Sequence, residues 1–153
     1  MDKQTLIIMC GVPLSGKSTW AEQHTLPEKI ISRDRIRENY FSKPYNYKHE
    51  KDVTEIFDKR LNFELTTALT SYHPIILDNT HCKEKYLDQW IYAFKDECNV
   101  KVFFLEISLF KAYWRNYIRY FQTGKWIPLK VIYQMHRNYN KINKNKYKQY
   151  EWI

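Results

Sequence analysis

Short, unbroken apolar runs alternate along the chain with longer stretches in which apolar residues recur every three or four positions. The first run, Leu6 to Cys10, reads as a buried strand, and Ser18 to His24 as the helix after it. Lys29 to Ser32 predicts a second short strand. Val53, Ile56, Phe57, Leu61, Leu65, Ala68 and Leu69 mark an amphipathic helix. Pro74 to Asp78 predicts a third strand, with proline at its start, where a missing N–H is tolerated. Tyr86, Leu87, Trp90, Ile91 and Phe94 predict another helix, Val100 to Ile107 a fourth strand, and Phe110 to Phe121 a further helix. Pro128 opens a last helix, as a favoured first residue.

Strands that are apolar throughout have both faces buried, so the alternation predicts an α/β fold: a small parallel sheet with helices on both faces. The 153 residues contain no repeat and no low-complexity linker, and a single domain over 1–153 is expected. No apolar run approaches the roughly 18 residues that span a membrane. Met1 to Gln4 does not begin a secretion signal, so a cytoplasmic protein is expected. Cys10, Cys82 and Cys98 fit neither a zinc site nor a disulfide framework and read as reduced thiols.

In open parallel sheets ligands bind beyond the carboxyl ends of the strands. The first such end carries the strongest signal. Of only three glycines in the chain, Gly11 and Gly16 fall in one six-residue window. Gly11-Val-Pro-Leu-Ser-Gly16-Lys17-Ser18 matches G-x-x-x-x-G-K-[ST] in full, directly after a predicted strand and before a helix. Backbone N–H groups of such a loop wrap phosphates, and the helix N-terminus adds partial positive charge. Lys17 is expected on the β- and γ-phosphates and Ser18 on Mg²⁺, with ATP or another nucleoside triphosphate as donor. Pro13, Ser15 and Thr19 complete the expected nucleotide-binding set. Leu14 is compatible with the motif provided its backbone is not strongly left-handed.

Asp78 ends the third strand, where P-loop enzymes orient Mg²⁺ or its waters. The competing reading makes it a helix N-cap, with Asn79 and Thr80 open to either role. The second strand runs into Ser32-Arg33-Asp34-Arg35-Ile36-Arg37. Asp34 suits a base that takes the proton of a hydroxyl acceptor. Arg37, on the same helical face, offers a planar fork to a phosphate on that acceptor. An Asp34 N-cap with i,i+3 ion pairs explains the same residues. Arg115 and Arg119, four apart on a predicted helix, read either as a lid that neutralises the transferring phosphoryl group or as an exposed basic face. Gln122 to Lys125 reads as a mobile connection.

Charge sharpens the picture. The formal charge is +8, yet residues 1–110 sum to −1 and residues 111–153 to +9, with Tyr, Trp and Phe interleaved. Basic and aromatic residues together grip phosphates and stack bases, although a solvated basic tail has the same composition. Lys125, Trp126, Lys130 and Arg137 are further candidates for donor or acceptor contacts. The segment 41–51, with Phe41, Lys43, Tyr45 and Lys48, reads as part of an acceptor channel or as an ordinary loop. The tail from Lys141 onward either docks on the body through its aromatics or binds nucleic acid.

Through GVPLSGKSTW, SRDRIR, ILDNT and WRNYIR…TGKWIP, in that order from Leu6 to about Asn140, the chain resembles the bacteriophage polynucleotide 5′-kinase family. The resemblance implies a P-loop kinase fold and transfer of the γ-phosphate of ATP to the 5′-hydroxyl end of DNA or RNA. It implies Asp34 as general base, Arg37 on the acceptor's 3′-phosphate, Asp78 beside the acceptor with Asn79 and Thr80, and Arg115 and Arg119 as lid residues, Arg119 on the transferring phosphate. Two departures stand out. No D-x-D-G-T phosphatase motif is present, and the third strand ends Asp78-Asn-Thr where the family resembles Asp-Thr-Asn. A small P-loop kinase acting on a nucleoside, sugar or other metabolite is the alternative.

Overall fold

The computed structural model describes residues 3–41, 47–67 and 73–152. Lys43, Tyr45, Ala68 and Leu69, named above, lie outside them. Four strands, β1 (Thr5–Gly11), β2 (Ile30–Ile31), β3 (Ile75–Leu77) and β4 (Asn99–Leu105), form one sheet in the order β2-β3-β1-β4. All pairings are parallel, with Ile7 opposite Ile76 and Lys101. Parallel neighbours require crossovers. These are supplied by α1 (Lys17–His24), α2 (Arg33–Phe41), α3 (Glu50–Thr67) and α4 (Glu84–Phe94), with α5 (Leu109–Thr123) and α6 (Leu129–Asn140) following the sheet.

Side chains alternate across a strand, and β1 sorts the core accordingly. Leu6, Ile8 and Cys10 face a large cluster with Val53, Phe57, Leu61, Leu87, Ile91, Tyr139 and Tyr147. Ile7 and Met9 face a smaller one formed by Ala21, Ile30 and Ile76, with Trp20, Phe103, Leu105 and Trp152 against it. On that thin side Trp20 stacks on Phe103 at 4.2 Å and meets Trp152 edge-on. Helices thus cover both faces, very unequally.

The predicted second strand contracts to two residues, because Pro27–Lys29 forms a 3₁₀ turn in which the Lys29 side chain is buried and paired with Glu64 at 3.1 Å. Pro128 stands as the N-cap and the helix begins one residue later. The tail docks on the body: Tyr147 is buried, its hydroxyl donates to Asp88 at 2.8 Å, and Trp152 N–H donates to Val102 at the outer edge of β4 at 2.9 Å. Among the described residues no helix is long and apolar enough to cross a membrane.

Candidate active site

Gly11 closes β1 and turns the chain into the phosphate loop. A Cβ there would sit 2.9 Å from the Leu105 carbonyl oxygen and 2.8 Å from Ser15 Oγ, so the neighbouring β4 backbone admits only glycine. Its N–H donates to the Thr80 carbonyl at 3.0 Å, which ties the loop to the segment after β3. Gly16 is left-handed at φ 99°, as glycine allows. Leu14 is left-handed as well, at φ 68°, against the expectation that this position avoids such a backbone. The reason lies in the loop's task. Amides converge on one centre only where right- and left-handed residues alternate. The left-handed conformation costs a non-glycine residue about 1–2 kcal/mol. The turn is supported from across the fold, where Arg115 Nη1 donates to the Leu14 carbonyl at 2.9 Å.

Lys17 is 7% exposed and folds back over the loop, donating to Val12 O at 2.8 Å and reaching Ser15 Oγ at 3.5 Å. Burial lowers its pKa, and the nearby Asp78 charge works the other way. A polyanion in the loop would supply the missing counter-charge. Ser18 Oγ donates to Asp78 Oδ2 at 2.6 Å, and Asp78 is buried. A hydroxyl beside a carboxylate, both at the phosphate end of the loop, is the oxygen donor set Mg²⁺ accepts while keeping most of its waters. The Ser18–Asp78 pair therefore fits the ion. Asp78 does not cap α4, whose N-cap is Lys83.

Asn79 does its work sideways: its Oδ1 accepts from Arg33 N–H at 3.2 Å and so satisfies the first amide of α2. Ser32 Oγ faces Arg35 N–H at 3.4 Å, so serine and not Asp34 stands at the cap. Arg33 turns inward, donating to Thr54 Oγ1 at 2.9 Å and lying over the Phe57 ring. That leaves Asp34 outermost on the first turn of α2, with its side chain 88% exposed. Its negative charge slightly favours the protonated form of Lys17. Arg37 Nη1 donates to Asp34 at 2.6 Å, the i,i+3 pair that the spacing allowed. The same guanidinium is gripped by Glu50 through Nε at 2.7 Å and Nη2 at 2.9 Å. Glu50 raises the pKa of Arg37, and Arg37 holds the Glu50 carboxyl below its ordinary range. No sequence signal pointed to Glu50, which lies 13 positions away on α3.

Above the loop stands the α5–α6 arm. Arg115 is docked on Leu14, whereas the Arg119 guanidinium, one turn on, makes no hydrogen bond or ion pair among the described residues. The connection expected to be mobile is bonded at both ends. Gly124, left-handed, closes α5 on Tyr120 O at 2.8 Å, and Lys125 pairs with Glu38 of α2. Asn116 is fully buried and clasps the backbone of Ile127, donating to its carbonyl at 2.8 Å and accepting from its N–H at 3.1 Å. A lone asparagine inside a basic helix gave no warning of that role.

Beneath the loop lies a buried polar layer that composition did not reveal. His81, left-handed at φ 42°, donates from Nδ1 to Met9 O at 2.8 Å, and burial lowers its pKa to about 4. Cys10 and Cys82 hydrogen-bond the carbonyls of His81 and Thr80, each at 3.2 Å. The contact with Cys82, together with burial, pushes the Cys10 thiol well up.

The loop, the Ser18–Asp78 pair beside it and the helix order fit one established group. The chain belongs to the AAA domain family, in its P-loop kinase branch AAA_33, whose model matches residues 6–142. No curated protein matches by sequence. Among solved structures the fold recurs in a chain of the Pnkp1/Rnl/Hen1 RNA repair complex, at 21% identity and TM-score 0.79 over 95% of this chain and 47% of that one. A second structure of the Pnkp1/Rnl/Hen1 complex matches at 18% identity and TM-score 0.63, over 75% of this chain and 40% of the other. A gluconokinase from Sinorhizobium meliloti 1021 matches at 18% identity and TM-score 0.50, over 90% and 76%. The chain spans less than half the length of the repair-complex chains it resembles. The P-loop kinase fold expected from the sequence is therefore the fold of the molecule, and domains of this fold work with a nucleotide and Mg²⁺.

Proposed function

We propose that this domain is a polynucleotide 5′-hydroxyl kinase. The observation that carries the reading is the arrangement around the phosphate loop: Asp34, solvent-exposed and paired with Arg37, stands on the first turn of α2, while Arg115 brings the basic arm down onto the loop. In this reading the acceptor's 5′-oxygen attacks the γ-phosphorus in line, and its proton passes to Asp34. The bond from the γ-phosphorus to the β–γ bridging oxygen breaks, and the nucleoside diphosphate leaves. Lys17 gives up its contacts to Val12 and Ser15 for the phosphate oxygens, and Arg119 neutralises charge on the transferring group. Mg²⁺, held by Ser18 and through water by Asp78, would neutralise the β- and γ-oxygens. Arg37 remains the acceptor-phosphate contact, already aligned by Glu50, and Asn79 and Thr80 build the wall of the acceptor space.

The polymer is favoured as acceptor by charge: between Ile107 and Tyr150 there are ten Lys and Arg and not one Asp or Glu. Its structural likeness to a chain of an RNA repair complex agrees. The likeness to a gluconokinase supports the second reading, a small polyhydroxy acceptor. Incubation with γ-labelled ATP and Mg²⁺ decides between them. Label is expected on 5′-hydroxyl oligonucleotides and not on gluconate or free nucleosides. Preferential labelling of a small acceptor would replace the polynucleotide reading.

A further inference from the structure

The arm has a second face that the chemistry above leaves unused. Phe110, Trp114, Tyr117 and Phe121 follow one another at spacings of four, three and four, which places them on one side of α5. They are 79%, 57%, 52% and 70% exposed. The opposite side carries Ala112 and Asn116, which are buried, and Arg115, which reaches the phosphate loop. The rings are not scattered. Tyr117 meets Phe121 at 4.9 Å, and the chain of contacts continues through Tyr120 to Trp126, at 5.8 Å each. A contiguous exposed apolar patch marks an interaction surface.

Two properties choose the occupant. The patch is made of rings, with Ile118 the single aliphatic side chain among the large exposed apolar residues of α5. Rings present flat faces suited to stacking. The two helices that carry it are basic, with Lys111 exposed on α5, Lys130 exposed on α6 and no acid from Ile107 to Tyr150, and the acid that Lys125 meets, Glu38, comes from α2. Positive charge selects a polyanion, and the rings select one whose own flat faces are bare. Single-stranded nucleic acid satisfies both, whereas a duplex hides its bases within the stack.

We propose that the outer face of α5, from Phe110 to Phe121 with Trp126 at its end, is a stacking platform for single-stranded nucleic acid downstream of the acceptor's 5′ end. The proposal rests on the polynucleotide reading and extends it: the domain grips a strand, not only a terminal nucleotide. Stacking on an aromatic residue is worth about five- to 150-fold in affinity per base.

The test compares a long single-stranded oligonucleotide with a trinucleotide, by fluorescence anisotropy for binding and by labelling for KM. In Trp114→Ala/Phe121→Ala the long strand is expected to lose at least tenfold in affinity relative to the trinucleotide. Trp114→Phe should retain most of that preference and Trp114→Leu should not, which separates stacking from bulk hydrophobic contact. An equal ratio in parent and double variant would overturn the platform while leaving the kinase reading intact. So would transfer of the same residues' effect to vesicles of phosphatidylserine and phosphatidylcholine, or loss of a self-associated form in the double variant with strand binding unchanged. Because anisotropy needs no turnover, Trp114-dependent strand binding without any labelling would uphold the platform and sink the proposed reaction instead.

Discussion

The phosphate loop and the α5–α6 arm meet at the carbonyl of Leu14, yet they are organised in opposite ways. In the loop the two side chains expected on phosphate and metal already have internal partners, Lys17 on Val12 and Ser18 on Asp78, and the backbone of Gly11 is bonded to Thr80. In the arm the side chains that secure its position are bonded, Arg115 to the loop and Asn116 to Ile127, while Arg119, one turn further along α5, is unpartnered among the described residues. The loop thus holds its own substitute contacts, which under the proposed function a triphosphate and metal would displace. The arm holds a charge in reserve. Changes in the loop should therefore disturb binding and chemistry together, and changes in the arm should separate them.

The largest effect is expected from Lys17→Ala, with transfer falling at least about 10³-fold and nucleotide affinity falling with it. Single-turnover rates and nucleotide titration measure the two halves of that statement. Arg119→Ala should lower the rate by about 10²–10³-fold, yet leave nucleotide affinity and thermal stability close to the parent, since no bond of the folded protein is lost. A matching fall in melting temperature would mean that Arg119 is structural and would erase the contrast between loop and arm.

A third test addresses what lies under the loop. His81 is neutral when folded, with a pKa of about 4 against an ordinary value near 6.5. The unfolded chain therefore takes up a proton that the folded chain refuses. Stability from this source is complete above about 6.5, declines as pH falls toward 4, and is flat below it, for a total on the order of 3 kcal/mol. His81→Asn keeps a donor for Met9 O and suits the left-handed backbone, and it should remove that part of the acid slope in denaturant melts at successive pH values. Asn116→Ala comes next. It strands the N–H and carbonyl of Ile127 and should cost about 2 kcal/mol in chemical denaturation. Smallest is Arg115→Ala, which releases Leu14 and should raise the nucleotide KM about tenfold, with kcat falling less than in Arg119→Ala.

Seen residue by residue, the loop was legible in the sequence and the arm only partly so. Gly11 to Ser18 is one local turn whose requirements are written in consecutive residues, and the apolar runs around it fix a parallel sheet because strands buried on both faces have no other composition. Asp78 was singled out because it ends such a run, and the fold brings it to Ser18. The left-handed Leu14 was misread, since the loop's need for alternating backbone hands outweighs the preference of a single side chain. Asn79, left open between an acceptor and a capping role, bonds the first amide of α2, a partner 46 positions away that the sequence could not show.

What the chain of amino acids settles alone is the class of fold, the order of elements and the chemistry of the phosphate loop, because each depends on periodicity or on neighbours within a few positions. Which arginine is bound and which is left open was decided only by the tertiary structure. Arg37 meets Glu50 across 13 positions and Arg115 meets Leu14 across 101, and pairings at such separations follow from how helices cross the sheet, which no local pattern encodes.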